Sequence, residues 1–337
     1  MRKGLSILLV IAVAAGIEAK EISKTGTTAA TFLKVDVGAP GMGMGGAYVS
    51  VVEDATAMYW NPAGLARVTG NEAVFNHAQW IADIRMSYAG VAVNMGNLGT
   101  IGANAQFESM DEMERTTILQ PDGNGEMFGA GSYAFGLSYA RNLTDRFSIG
   151  MTAKFIHERI FHSTANGAAM DIGALFDTQF YGMKIGMSIT NYGTKMQMGG
   201  RDLQAQIDVD PTVSGNSETT PALLKTDAYD LPLLFRVGVS VDVLKGLGNS
   251  NLILAVDALH PNDDYESVNV GGEYVFNKMF TLRAGYKSLF NKESEEGWSL
   301  GGGLNCPLGG MRLKLDYAYH DFGVLKDIQM FTVGLGF

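Results

Sequence analysis

Cysteine is almost missing from this chain: in 337 residues Cys306 stands alone. An internal disulfide is therefore excluded, as is a cysteine-rich metal cluster. The five histidines, His77, His157, His162, His260 and His320, lie far apart, and no metal-ligand spacing or nucleophile motif is found. With no convergent nucleophile, base or metal set, neither enzymatic activity nor a cofactor or metal is expected. Positive charge is also scarce: 25 Lys and Arg stand against 35 Asp and Glu, a net charge of −10. That balance argues against a nucleic-acid partner. Past the first twenty residues no apolar run reaches the roughly eighteen residues a membrane helix needs. Helical spans are out. Only a barrel of strands still offers a way across a bilayer.

What is present begins with a leader. Arg2 and Lys3 precede the apolar run Leu5–Ala15, followed by the small residues Gly16 and Ala19. This is the pattern of a secretory signal peptide, with cleavage placed after Ala19. Glycine is abundant, 43 residues or about 13% against a usual level of roughly 7%. Such enrichment suits a lumen in which small residues leave room for a plug or a passage.

Between residue 72 and Phe337 the chain alternates apolar with polar or glycine residues. Leu313, Leu315, Tyr317 and Tyr319 fall on one face; Arg312, Lys314, Asp316 and His320 fall on the other. Likewise Phe235, Val237, Val239 and Val241 oppose Arg236, Gly238, Ser240 and Asp242. A sustained two-residue period of this kind marks a wall with two different solvents. Fourteen such stretches are predicted, near 72–80, 85–96, 99–109, 127–141, 145–159, 167–178 and 182–190. After a forty-residue gap they resume near 231–244, 250–260, 265–277, 279–288, 296–306, 311–321 and 327–337. The fold class expected is all-β: a 14-stranded antiparallel transmembrane barrel with an N-terminal hatch or plug in its lumen.

Connection lengths supply a separate check. Bacterial barrels have short periplasmic turns and longer outer loops. Arg141–Asp145, Tyr181–Gly182, Asn277–Lys278 and Pro307–Gly310 are brief and fall in the periplasmic set. Met110–Glu126, Asn291–Gly297 and Asn191–Asp230 fall in the outer set. The expected division is a signal peptide at 1–19, a hatch segment at 20–70 and the barrel at 71–337, with the long outer loop near 191–230.

The hatch segment reads differently from the strands. Gly41–Gly46 satisfies G-x-G-x-x-G, but it leads into β-branched Val49, Val51 and Val52 rather than a helix, which argues against a dinucleotide site. Asn61-Pro62 forms a turn that fixes the chain direction. The core G-M-G-G-A-Y-V-S-V-V-E-D-A-T-A-M-Y-W-N-P-A-G-L-A at Gly43–Ala66 resembles the N-terminal signature of the PorV/PorQ outer-membrane family. That family is related to the FadL-type fatty-acid channels, which share a hatch bearing an Asn-Pro-Ala motif. The matching positions are Asn61, Pro62 and Ala63, with Gly43, Gly45, Gly46 and Asp54 upstream. The resemblance implies a fourteen-stranded barrel with an N-terminal hatch in the outer membrane of a Gram-negative-type bacterium.

Inside the lumen, isolated charges need partners or water. Lys154, Arg236, Asp242, Arg283, Lys287, Lys314 and Asp316 are expected to form a charge network with one another and with the hatch. Met196, Met198 and Leu203, in the long loop, are candidate contacts for an apolar ligand. Two functions compete. The resemblance implies a transport or protein-export component of the type IX secretion kind, with secreted cargo or secretion proteins as partners. The alternative is a FadL-like channel for long-chain fatty acids or other hydrophobic small molecules. Outer-membrane lipid surrounds the barrel in both.

Overall fold

Alternation along each strand gives the chain two chemically distinct faces, and closing the sheet on itself hides its edges. The computed structural model describes residues 24–209, 212, 219–245, 249–291 and 293–337. The Met1–Ala19 leader lies outside the described residues. The strands of the wall are β1 Glu72–Gln79, β2 Arg85–Asn94, β3 Thr100–Ser109, β4 Ala130–Asn142, β5 Phe147–Ile160, β6 Ser163–Asp177 and β7 Lys184–Gly193. They continue as β8 Leu234–Asp242, β9 Asn251–Pro261, β10 Ser267–Phe276, β11 Phe280–Leu289, β12 Trp298–Leu308, β13 Met311–Asp321 and β14 Asp327–Gly336.

Each strand pairs antiparallel with the next, and β14 returns to pair with β1, Val74 opposite Gly334. The barrel is closed. The fourteen expected strands are the fourteen observed. The seam is tightened past the strand ends, where Asn71 and Phe337 exchange two backbone hydrogen bonds of 2.9 Å.

The expected faces are the faces found. Phe135, Leu137, Phe155, Phe235, Leu282, Leu315 and Phe331 point outward and are exposed. A continuous apolar exterior of this kind is solvated by lipid rather than water. Among the described residues no helix is long and apolar enough to cross a membrane.

All odd-numbered connections lie at one end of the barrel, the loop end, and all even-numbered ones at the other, the turn end. The loop end carries the long segments 110–129, 194–233 and 290–297. It also carries a tight one. Phe161 and His162 alone join β5 to β6, because β6 begins at Ser163 rather than near 167. Ser163 and Ala165 already face inward there, but the run Ser-Thr-Ala-Asn-Gly has too little hydrophobic contrast for its alternation to stand out.

Within the wall lies the chain before β1. Residues 30–66 are almost wholly buried, in short helical turns at Thr31–Lys34, Ala39–Gly43, Ala57–Trp60 and Pro62–Arg67 joined by extended stretches. The segment starts at the loop end, where the Ala29 N–H donates to the Asp230 carbonyl at 2.9 Å. It leaves at the turn end, where Arg312 donates to the Thr69 carbonyl at 3.1 Å.

Candidate functional site

The site is the lumen, and its shape is set by how the N-terminal segment lies against the wall. Gly45 and Gly46 take positive φ values of 63° and 73°, a conformation that side chains with a Cβ rarely adopt. This turns the backbone flat onto three neighbouring strands. A Cβ on wall residue Gly285 would lie 2.2 Å from the Met44 carbonyl carbon, and one on Gly271 would lie 2.3 Å from its oxygen. Gly43 meets the wall at Gly301, backbone against backbone. Several of the glycines therefore sit where the segment touches the wall.

Asn61 works at both ends of its amide. Its Oδ1 accepts from the Ala63 N–H at 3.1 Å, capping the helical turn that Pro62 begins, while its Nδ2 donates to the carbonyls of Val49 at 2.9 Å and Ala174 at 3.1 Å. Gly173 and Gly150 lie beneath this Asn-Pro-Ala turn; a Cβ on Gly173 would fall 2.0 Å from Asn61 Oδ1. Asp54 holds the preceding turn. It accepts from the Thr56 N–H at 2.7 Å and from the Tyr48 hydroxyl at 3.3 Å. All seven residues of the motif, Gly43, Gly45, Gly46, Asp54, Asn61, Pro62 and Ala63, lie inside the wall.

One wall residue anchors the middle of the segment. Asp257 on β9 accepts two hydrogen bonds through Oδ2, from the N–H groups of Tyr48 and Val49, each 2.8 Å. Nearby, Arg236 lies over the rings of Tyr59 and Trp60, its Cζ 5.5 and 5.4 Å from their centroids. Cation–π contact of this kind favours a desolvated guanidinium. Burial pushes the Tyr59 hydroxyl up to about 12, with Arg236 pulling the other way. Tyr59 thus stays neutral against the arginine.

The lumen charges form separate pairs and triads. Arg283 bridges Glu273 and Asp316, each at 2.6 Å. Lys287 joins Asp36 of the segment at 3.0 Å to Glu296 of the 290–297 loop at 2.7 Å. Lys314 meets Glu72 at 2.7 Å, and Lys154 meets Asp171 at 2.6 Å. Arg236 reaches Thr190 and the two rings instead of a carboxylate. Asp242 accepts from Asn251 at 2.6 Å and from the Leu244 and Leu252 N–H groups, so it pins the turn between β8 and β9.

The two halves of the lumen differ sharply. At the turn end, between the segment and strands β7 to β13, opens a cavity of about 470 Å³. Its walls carry the charged residues Asp54, Lys184, Glu273, Arg283, Lys314 and Asp316. At the loop end the interior is apolar. Phe32, Leu33 and Met42 of the segment pack there with Ile156, Leu231 and Met330, and Trp80, Ile84, Met198 and Phe322 lie partly buried over them. Met196 is buried in this cluster and Met198 packs against it. Leu203 does not join them. It is half-buried in the loop, its carbonyl accepting from the Leu224 N–H at 2.8 Å.

No family model and no curated protein matches the chain. Solved structures do. The toluene transporter TodX of Pseudomonas putida aligns with a TM-score of 0.55 at 12% identity, over 89% of this chain and 96% of that one. The toluene transporter TbuX of Ralstonia pickettii aligns at 0.53 and 12%, over 89% and 97%. A FadL homologue of Pseudomonas aeruginosa aligns at 0.54 and 12%, over 89% and 97%. The chain has the barrel fold of these proteins. At such identity the likeness carries the fold alone.

Sequence reasoning missed three of the paired carboxylates: Asp36 of the segment, and Glu72 and Asp171, which pair with Lys314 and Lys154 within the wall. Glu72 falls on the inward face by strict alternation, so parity was the signal available. Asp36 lies in irregular chain, where no period exists to read. Asp171 adjoins a register shift between β6 and β7 at Met170/Ile172.

Proposed function

We propose that this chain spans an outer membrane and admits small hydrophobic molecules through its loop end. The observation that carries the reading is the apolar cluster formed by Phe32, Leu33, Met42, Met196, Leu231 and Met330 inside the loop end of a barrel. Elsewhere in the lumen charged and polar residues predominate on the free side; apolar solutes partition into the former and are refused by the latter. The similar folds described above include two proteins named as toluene transporters, which agrees with this assignment.

In this reading the Met1–Ala19 leader delivers the chain to the envelope, and residues 20–70 act as the hatch. Asn61-Pro62-Ala63 and Gly43–Gly46 seat it, and Met196 and Met198 touch the entering molecule. No catalytic step is assigned. The test is uptake. Cells lacking this gene should accumulate a radiolabelled monoaromatic hydrocarbon more slowly, with uptake restored by the wild-type chain. Unchanged rates at limiting hydrocarbon concentration contradict the proposal.

The export reading has one observation of its own, the motif at Gly43–Ala66 and its resemblance to the PorV/PorQ signature. Its test is the secretome of the same deletion strain. Loss of surface-sorted proteins with hydrocarbon uptake intact favours export over passage.

A further inference from the structure

Beside the loop-end apolar cluster one buried polar group has nothing to bond. His320, close to the end of β13, is 2% exposed, and neither Nδ1 nor Nε2 has a hydrogen-bond partner. An imidazole carries at least one N–H in any protonation state, and its neutral form adds an acceptor. Buried polar atoms are nearly always paired, so each exception calls for a reason.

The surroundings supply one. On one side His320 faces apolar and aromatic groups. Its cross-strand partner on β14 is the buried Ile328. The Phe322 ring stands edge-on at 5.8 Å, and Trp80 is edge-on to Phe322 at 5.6 Å. Both aromatic rings are only partly buried and pack against the outside of the apolar cluster. The charges whose fields reach the imidazole are Lys287, Glu296, Asp36 and Asp321. The Lys287 ammonium is already engaged by Asp36 and Glu296, and Glu296 also accepts from the Ser288 hydroxyl at 2.7 Å. Three carboxylates against one ammonium leave surplus negative charge, which disfavours an anion here. What remains unused in this cluster is the ring of His320.

We propose that His320 recognises a neutral hydrophobic molecule bearing a single hydroxyl, a phenol or an alcohol. The hydroxyl bonds the imidazole while the apolar body lies among Trp80, Ile328 and Met330. Phe322 turns aside to admit it. The assignment rests on the passage reading and sharpens it: the favoured substrate is an oxygenated compound rather than a plain hydrocarbon or a carboxylate.

The test compares probes of nearly equal shape on the purified full barrel in detergent. Binding of 4-fluorophenol, 4-fluorotoluene and 4-fluorobenzoate is followed by 19F NMR, with folding of each variant checked by heat-modifiable gel mobility. Wild type should bind the phenol about tenfold tighter than the toluene, the discrimination expected of one buried hydrogen bond. His320→Phe should bring that ratio to about one while still binding 4-fluorotoluene, and His320→Gln should keep part of the preference. Equal binding of phenol and toluene by wild type overturns the assignment and leaves the passage reading standing. So does a preference that survives in His320→Phe, or tighter binding of the benzoate. If no probe binds wild type at all, the passage reading falls, and this inference with it.

Discussion

Replacing Asp257 with alanine should loosen the N-terminal segment while leaving the wall intact. In the native barrel one carboxylate oxygen takes the N–H groups of both Tyr48 and Val49, each at 2.8 Å, in a fully buried place. Truncation strands two buried backbone donors, at roughly 1–3 kcal/mol apiece. The lower bound for the pair is therefore about 2 kcal/mol, which corresponds to about a 30-fold change in an opening equilibrium. β9 keeps its ladders to β8 and β10, since those run through backbone atoms. Hydrogen–deuterium exchange on barrel held in nanodiscs separates the two effects. Peptides spanning 44–60 should exchange at least about 30-fold faster, while those within β8 to β10 change little. Asp257→Asn keeps an acceptor and should fall between wild type and Asp257→Ala. Unaltered exchange at Tyr48 and Val49, or uniform loss of protection around the wall, would refute the idea that this carboxylate specifically anchors the segment.

The glycine seats should be intolerant of even one methyl group. In Gly285→Ala or Gly173→Ala the new Cβ would meet segment backbone at 2.2 Å or Asn61 Oδ1 at 2.0 Å. Each should weaken segment docking by about 1–3 kcal/mol, read as protease cleavage within residues 24–70. Arg283→Ala leaves Glu273 and Asp316 as buried, unpaired carboxylates and should cost about 3–5 kcal/mol in urea unfolding. The triple change Arg283→Met, Glu273→Gln, Asp316→Asn should recover much of that loss. The 290–297 loop should respond to acid through Glu296. Burial alone would raise this carboxyl, but the Lys287 ammonium and the Ser288 hydroxyl overcome it and hold the value below the usual range. A depressed folded value contributes stability above the unfolded pKa of about 4.3, lost as the pH falls through the folded value. Fluorescence of Trp298, with Trp60 and Trp80 replaced by Phe, should stay constant at neutral pH and change only below that range.

The wall was legible in the chain because a barrel strand writes its two solvents into alternate positions. Phe235 through Asp242 showed it plainly, with four outward apolar residues against Arg236, Gly238, Ser240 and Asp242. It faded where polarity did not alternate, as at Ser163–Gly167, and the start of β6 slipped by four residues. Which charges face inward followed from the same parity. Which of them pair did not, since partners are set by the path of the segment through the lumen. Lys287 depends on Asp36, more than 250 positions away in sequence and in a stretch without period. Asp242 looked like a member of the charge pairs but ends by capping its own turn. The apolar cluster was visible only in fragments. Met196 and Met198 could be suspected from the loop, whereas Phe32, Leu33 and Met42 read as parts of a plug, and only folding brings the two sets together. His320 carried no signal beyond being a histidine on the wet face.

The account stands or falls on where an apolar molecule rests inside the barrel. Crystals soaked in 4-bromotoluene and measured at the bromine edge locate it without ambiguity. An anomalous peak is predicted within the loop-end apolar cluster, among Phe32, Met42, Met196 and Met330. A peak confined to the outward face of the wall, or none inside it at full probe saturation, would contradict a passage for hydrophobic molecules.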